Sequence, residues 1–174
     1  MNEIEKYERC IELARKSPCQ KLGFGALLID PVWPQVIVAE EYNEPIAPLA
    51  NMCIPDCCRF NIPSRTQSMI GACGHAEEAC LWTAAKDPNV NIDRLEMYVA
   101  GVNTRGLPLV NGIAYPLVKT DLAFTCIRCA VQMYLAGIRG VNVWVNDTWY
   151  FVPASEALKQ AEKYATRALE VDSK

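Results

Sequence analysis

Two short strings hold most of the residues able to do chemistry, His75-Ala76-Glu77 and Cys126-Ile127-Arg128-Cys129. Cysteines three apart share one helical face, so both sulfurs can reach the same ion. Adding His75, the only histidine of the chain, makes a set of three ligands with a fourth tetrahedral position open. That is the pattern of a catalytic rather than a structural zinc site. Zinc held there lowers the pKa of a water toward neutrality. Glu77 lies two residues from a ligand, close enough to take a proton from that water and hand one to a leaving group. Either string alone says little, because a lone histidine is usually structural and a CxxC pair also reads as a redox dithiol or as packing. The carboxylate and the histidine together select the water-activating reading.

These residues need elements to position them. Each string opens a predicted helix, 75–86 and 126–137, the second closed by Gly137. Helix N-termini carry partial positive charge, which favours ionised thiolates. Ile4, Tyr7, Ile11 and Ala14 recur at helical spacing and predict an amphipathic helix over 2–17. The β-rich runs 24–30 and 35–40, separated by Pro31 and Pro34, predict a hairpin. Further strands are expected at 94–101 and 140–145. A last helix is expected over 153–170, with Ser155 as its N-cap. Two long connections, 41–73 and 102–121, interrupt this order, and connections of such length inside a compact domain are usually functional. The order α-β-β-α-β-α-β-α predicts one domain spanning 1–174. Its expected architecture is a three-layer α/β/α fold around a mixed sheet of about five strands.

Composition narrows the function. Apolar residues make up 51% of the 174-residue chain, which is enough for one ordinary core. No apolar run approaches the roughly 18–20 residues that span a bilayer, and the acidic N-terminal stretch lacks a signal-peptide pattern, so a cytoplasmic protein with no membrane partner is expected. The nine cysteines fall in short-spaced groups that favour metal binding and buried thiols over disulfides. A net charge of −3 without a basic run speaks against a polynucleotide partner and for a small-molecule substrate.

The two strings in this order match the H-x-E…C-x-x-C signature of zinc deaminases. Over residues 5 to 146 the chain resembles the cytidine deaminase superfamily, most closely its deoxycytidylate (dCMP) branch. Cys19 to Ala26 is similar to that family's first-strand Gly-Ala entry, and Tyr42-Asn43 with Pro45 resembles its GYNGxP loop. The stretch 53–79 resembles the cysteine-bearing approach to HAE in dCMP-type enzymes. Residues 125–145 resemble the PCxxC helix and the strand after it, with Thr125 in place of the proline. The resemblance implies Zn2+ on His75, Cys126 and Cys129, and Glu77 as the proton shuttle. It implies deamination at C4 of a cytosine nucleotide, dCMP to dUMP plus ammonia. Asn43 would then bond the nucleoside, and the backbone near Ala26 and Ala76 would hold the pyrimidine edge. Homo-oligomerisation is expected on the same ground.

Other residues carry weaker expectations. Cys53, Cys57, Cys58 and Cys73, with Cys19, offer a second, structural zinc site, against the plain reading of buried thiols. Arg59, Arg65 and Lys21, helped by Ser64, are candidates for a 5′-phosphate. Trp144, Trp149 and Tyr150 can stack a base, meet another subunit or simply fill the core. The rival functions are a deaminase of a free nucleoside or base (cytidine, guanine or a nucleoside antibiotic), a polynucleotide-editing deaminase, and a non-enzymatic zinc-binding module.

Overall fold

The computed structural model describes residues 1–53, 71–109, 125–145 and 147–171. The chain opens with α1 (Glu3–Lys16), β1 (Gly23–Ile29) and β2 (Ile37–Tyr42), then the two-residue strand β3 (Glu44–Pro45) and a 3-10 turn, Ala47–Met52. Strand β4 (Cys73–Gly74) leads into α2 (Ala76–Ala84). A second short 3-10 turn precedes β5 (Glu96–Val102). The chain then runs through α3 (Ile127–Ala136), β6 (Gly140–Val145), β7 (Thr148–Pro153) and α4 (Ala154–Val171).

Five strands form one mixed sheet in the order β2-β1-β5-β6-β7, and β3 pairs with β4 apart from it. Only β5 and β6 run parallel; the other neighbours in the sheet are antiparallel. Side-chain alternation along the strands creates two cores. Ala26, Leu28, Met97, Val99, Val141 and Val143 face α2, α3 and α4. Leu27, Ile29, Tyr98, Ala100 and Val102 face α1. The result is the expected three-layer arrangement, with, among the described residues, α1 on one side of the sheet and α2, α3 and α4 on the other.

Local sequence explains the elements. Helix α1 starts with a capping box, in which the Asn2 side chain accepts from Glu5 N at 2.9 Å and Glu5 accepts from Asn2 N at 2.7 Å. Glu3 and Glu5 in its first turn and Arg15 and Lys16 in its last suit the helix dipole. Helix α3 ends at Gly137, whose φ of 76° is the left-handed closure that glycine takes without strain.

Two expectations need correction. The stretch after β6 contains the strand β7, because Asp147, at φ 59°, turns the chain back into an antiparallel hairpin. Helix α4 follows that strand directly at Ala154, so Ser155 lies inside its first turn rather than at its cap. Trp144 takes the core-packing place, only 6% exposed. Trp144 stacks on Tyr7 with centroids 4.3 Å apart and meets Trp149 edge-on at 5.2 Å, both on the α1 side of the sheet. Trp149 is further held by its Nε1, which donates to Glu3 O at 3.0 Å.

Of the long connections, residues 41–53 and 71–73 carry β3, the first 3-10 turn and the start of β4. The 102–121 segment begins as a tight turn in which Asn103 Oδ1 accepts from Arg105 N and Leu107 N, followed by a bridge from Val102 to Pro108. Its residues from 110 onward lie outside the described ones. No helix among the described residues is long and apolar enough to cross a membrane.

Backbone contact between α1 and β1 depends on glycine. A Cβ on Gly25 would come within 2.1 Å of Cys10 O, and one on Gly23 within 2.2 Å of Ala14 O, so neither helix nor strand has room for a side chain. A Cβ on Gly74 would approach nothing closer than 3.9 Å. Gly25→Ala should therefore destabilise the protein by about 1–3 kcal/mol or more, read as a lower urea midpoint, while Gly74→Ala should leave that midpoint nearly unchanged.

Candidate metal centre

The two chemistry-bearing strings become the N-termini of α2 and α3, two helices packed on the same face of the sheet. His75 is the N-cap of α2 and Cys126 the N-cap of α3, both with extended backbone. Cys129 is three residues further along α3, and its backbone N–H donates to the Cys126 sulfur at 3.5 Å. An N-cap side chain points back over the first turn. The two caps and the first turn of α3 thus aim three donor atoms at one point.

His75 Nδ1 lies 3.2 Å from Cys129 Sγ and 3.3 Å from Cys126 Sγ. All three donor atoms fall within 4.8 Å of one another. Tetrahedral zinc requires N···S edges of about 3.6 Å and an S···S edge of about 3.8 Å from its usual bond lengths. The donor set and spacing fit zinc, with small outward adjustments of the side chains. Among the described residues, no other group of three or more ligating side chains converges in this way.

Charge in the centre is uneven. Cys129 and His75 stabilise the Cys126 thiolate against the cost of burial, holding its pKa well below the ordinary thiol value. Burial and the neighbouring Cys126 push Cys129 the other way. Burial alone would lower His75, but its hydrogen bond to Cys126 and the charges of Cys126, Glu77 and Glu78 outweigh that and raise it. Without a metal these shifts favour a proton on His75 and on Cys129 over one on Cys126. Binding a divalent cation must displace the remaining protons.

Glu77 sits in the first turn of α2, buried at 9% exposure. Burial raises its pKa, the Cys126 thiolate adds to the rise, and His75 offsets part of it. A carboxyl with raised proton affinity suits the transfer of protons in both directions near neutral pH. Thr125 takes no part in capping α3. Its buried hydroxyl donates instead to Glu77 Oε1 at 3.3 Å, across the gap between the two helices.

The other candidate residues are placed as follows. Asn43, 7% exposed, uses its side chain on backbone: Oδ1 accepts from Phe24 N at 2.6 Å and Nδ2 donates to Leu22 O at 3.1 Å. Ala26 and Ala76 are fully buried, in β1 and in the first turn of α2. The Ala26 carbonyl accepts from the Cys80 thiol at 3.3 Å, and burial keeps that thiol protonated. Cys53 and Cys73 bring their sulfurs to 3.5 Å. Cys19 is partly exposed in the segment before β1. Cys57, Cys58, Arg59, Ser64 and Arg65 lie outside the described residues.

Two residues given no role by the sequence reading also reach the centre. Arg128, between the two ligand cysteines, donates from Nε to Glu78 Oε1 at 2.6 Å. Glu78 Oε2 accepts from His75 N at 3.2 Å. One hint was present in the sequence, since an acidic residue three after an N-cap is a capping-box position.

No family model matches this sequence, and no curated protein matches it. Among solved structures, the fold aligns with cytidine deaminase from Burkholderia pseudomallei at a TM-score of 0.54 and 14% identity, covering 90% of this chain and 96% of that one. An alignment with the apo form of dCMP deaminase from the cyanophage S-TIM5 has a TM-score of 0.47 and 18% identity, covering 92% and 94%. The likeness to the first is one of fold, and on it the chain has the architecture of a cytidine deaminase.

Adding Zn2+ to the metal-free protein in weak buffer should release protons, because Cys129 and the raised His75 both hold one that zinc displaces. The proton on His75 persists to a higher pH than on an ordinary imidazole. Zinc affinity should therefore rise with pH through and above the usual histidine range, more gently once the ring is neutral but still rising while the Cys129 thiol holds its proton. Indicator-dye titration checks the release, and chelator competition across pH checks the trend. Affinity independent of pH in that window would mean that zinc displaces no proton there and would remove both His75 and Cys129 from the ligand set.

Proposed function

We propose that this chain is a zinc-dependent deaminase that hydrolyses the exocyclic amine from C4 of a cytosine nucleotide, converting dCMP and water to dUMP and ammonia. One observation carries the reading. His75, Cys126 and Cys129 bring their donor atoms within 4.8 Å of one another, with the buried Glu77 two residues from the histidine, on the fold of a cytidine deaminase. Zinc, when bound, supplies a Lewis acid that makes water nucleophilic near neutral pH.

The remaining work falls to the chain's own groups. Glu77 takes a proton from the attacking water, and its raised proton affinity lets it hold that proton through the addition. It then delivers the proton to the amine, which departs as ammonia. Thr125, by bonding Oε1, keeps the carboxylate from rotating. The buried surroundings of Glu77 keep bulk water away from this exchange.

The nucleotide assignment is supported by the motif resemblance over residues 5–146. A second reading, a deaminase of the free nucleoside, is favoured by two observations. The fold aligns with a structure named as a cytidine deaminase. Among the described residues, the guanidinium nearest the centre, Arg128, is engaged by Glu78 rather than turned to a phosphate.

Ammonia release from the zinc-loaded protein separates these readings when measured against cytidine, deoxycytidine, CMP, dCMP, dCTP, guanine and short single-stranded DNA. We expect dCMP to lead. Equal or faster turnover of the nucleosides would move the assignment to the second reading, and silence across all the compounds would remove the deaminase reading. Glu77→Gln should cut kcat by about 10²–10⁴-fold while zinc content stays at the wild-type level. Thr125→Val should lower kcat by about tenfold with KM little changed, and Thr125→Ser should restore most of it.

A further inference from the structure

We infer that the Arg128–Glu78 ion pair is a positioning clamp, which fixes the distance between the histidine ligand and the two cysteine ligands of the metal centre. The inference rests on the zinc site proposed above and extends it to two residues that bind neither metal nor substrate.

The geometry is specific. The Glu78 side chain is only 2% exposed and that of Arg128 only 17%, so neither is an ordinary solvated surface charge. A carboxylate that deep in a protein must find partners for both oxygens. Glu78 finds one on each helix: Oε1 accepts from the Arg128 guanidinium on α3, and Oε2 accepts from the backbone N–H of His75 at the cap of α2. One rigid carboxylate therefore spans the two helix N-termini that bear the ligands. Arg128 is bracketed by Cys126 and Cys129, so holding its side chain also holds the loop that aims both sulfurs.

The placement of Arg128 also argues against a role in helix stability. A cation in the first turn opposes the helix dipole, and that position favours acidic residues. Its charge is better matched to the buried Glu78 side chain, which it meets at 2.6 Å. Arginine suits such a site because its planar head gives directional bonds to a carboxylate. Groups that orient metal ligands without touching the metal commonly change metal affinity by about 10–100-fold when removed.

The test is a double-substitution cycle on the full chain: wild type, Glu78→Gln, Arg128→Gln and the pair together. Zn2+ affinity is measured by chelator competition, and ligand geometry by the visible absorption of the Co2+-loaded proteins. Circular dichroism of each metal-free protein confirms that it is folded. Each single change should weaken zinc binding about 10–100-fold and shift the cobalt bands. The double variant should be no weaker than the weaker single, because each partner is idle without the other. Arg128→Lys, which keeps the charge but not the directed Nε bond, should recover part of the loss. If Arg128→Gln does not fold, Arg128→Lys carries the test, with affinity several-fold below wild type expected. Folded variants with wild-type affinity and unchanged cobalt spectra would overturn the clamp, as would losses that multiply in the double. Zinc affinity is read without turnover. A wild-type protein that binds zinc but deaminates nothing therefore sinks the proposed reaction, while only the cycle decides the clamp.

Discussion

Everything about this centre depends on holding three donor atoms within 4.8 Å when the chain supplies them from positions 51 and 54 residues apart. No local segment can do that, so the sheet does it. Helices α2 and α3 lie on the same face, buried over Met97, Val99, Val141 and Val143, and their N-termini meet at one point. Placing the ligands at N-caps and in a first turn has a second consequence. The positive end of α3 lies at the Cys126 sulfur, which accepts from the Cys129 backbone N–H, and this lowers the cost of keeping thiolate charge in a buried place. The positive end of α2 accommodates Glu77 and Glu78 in its first turn in the same way.

The opposite face of the sheet has a different task. Helix α1 presses so closely on β1 that Gly23 and Gly25 are needed at the contact, and its apolar face closes over Leu27, Ile29 and Ala100. Tyr7, Tyr98, Trp144 and Trp149 pack together there, with the Lys6 ammonium 4.4 Å over the Tyr98 ring and 3.2 Å from its hydroxyl. This aromatic cluster resembles a base-stacking surface in sequence, but the sheet separates it from the metal centre. Its role is to bury α1 and the last hairpin on the sheet. That layer bears on α2 indirectly, because β1, against which α1 is pressed, forms with β2 the floor on which α2 rests.

Polar groups between the two ligand helices are satisfied by one another rather than by solvent. Thr125 meets Glu77, Glu78 meets both Arg128 and the His75 backbone, and the Cys80 thiol meets the Ala26 carbonyl. Buried hydrogen bonds of this kind contribute modestly to net stability, but each is costly to break on one side only. A network so paired gives the centre a single arrangement, which a reaction needing a proton acceptor at a set distance requires.

Residue type and spacing alone picked out the three side chains that the fold brings together as a group able to hold a metal, because His-x-Glu and Cys-x-x-Cys at helix starts are local patterns with a local physical meaning. They also determined the α1 helix, the β1–β2 hairpin and the layered class, since apolar period reports which face is buried. Strand β7 escaped this reading. It is an edge strand with only Val152 well buried, so it lacks a clear alternating signal, and its turn residue Asp147 was the one sign available. Ser155 looked like a helix cap by residue type, but the strand before it leaves α4 to begin at Ala154. Tertiary structure alone decided that Thr125 turns to Glu77 instead of capping α3, that Asn43 bonds the backbone of Leu22 and Phe24, and that Arg128 pairs with Glu78 across 50 residues of sequence. The reason is the same in each case. A side chain's hydrogen-bond partner is chosen by what the fold brings within about 3 Å, and that distance is not a property of the sequence around it.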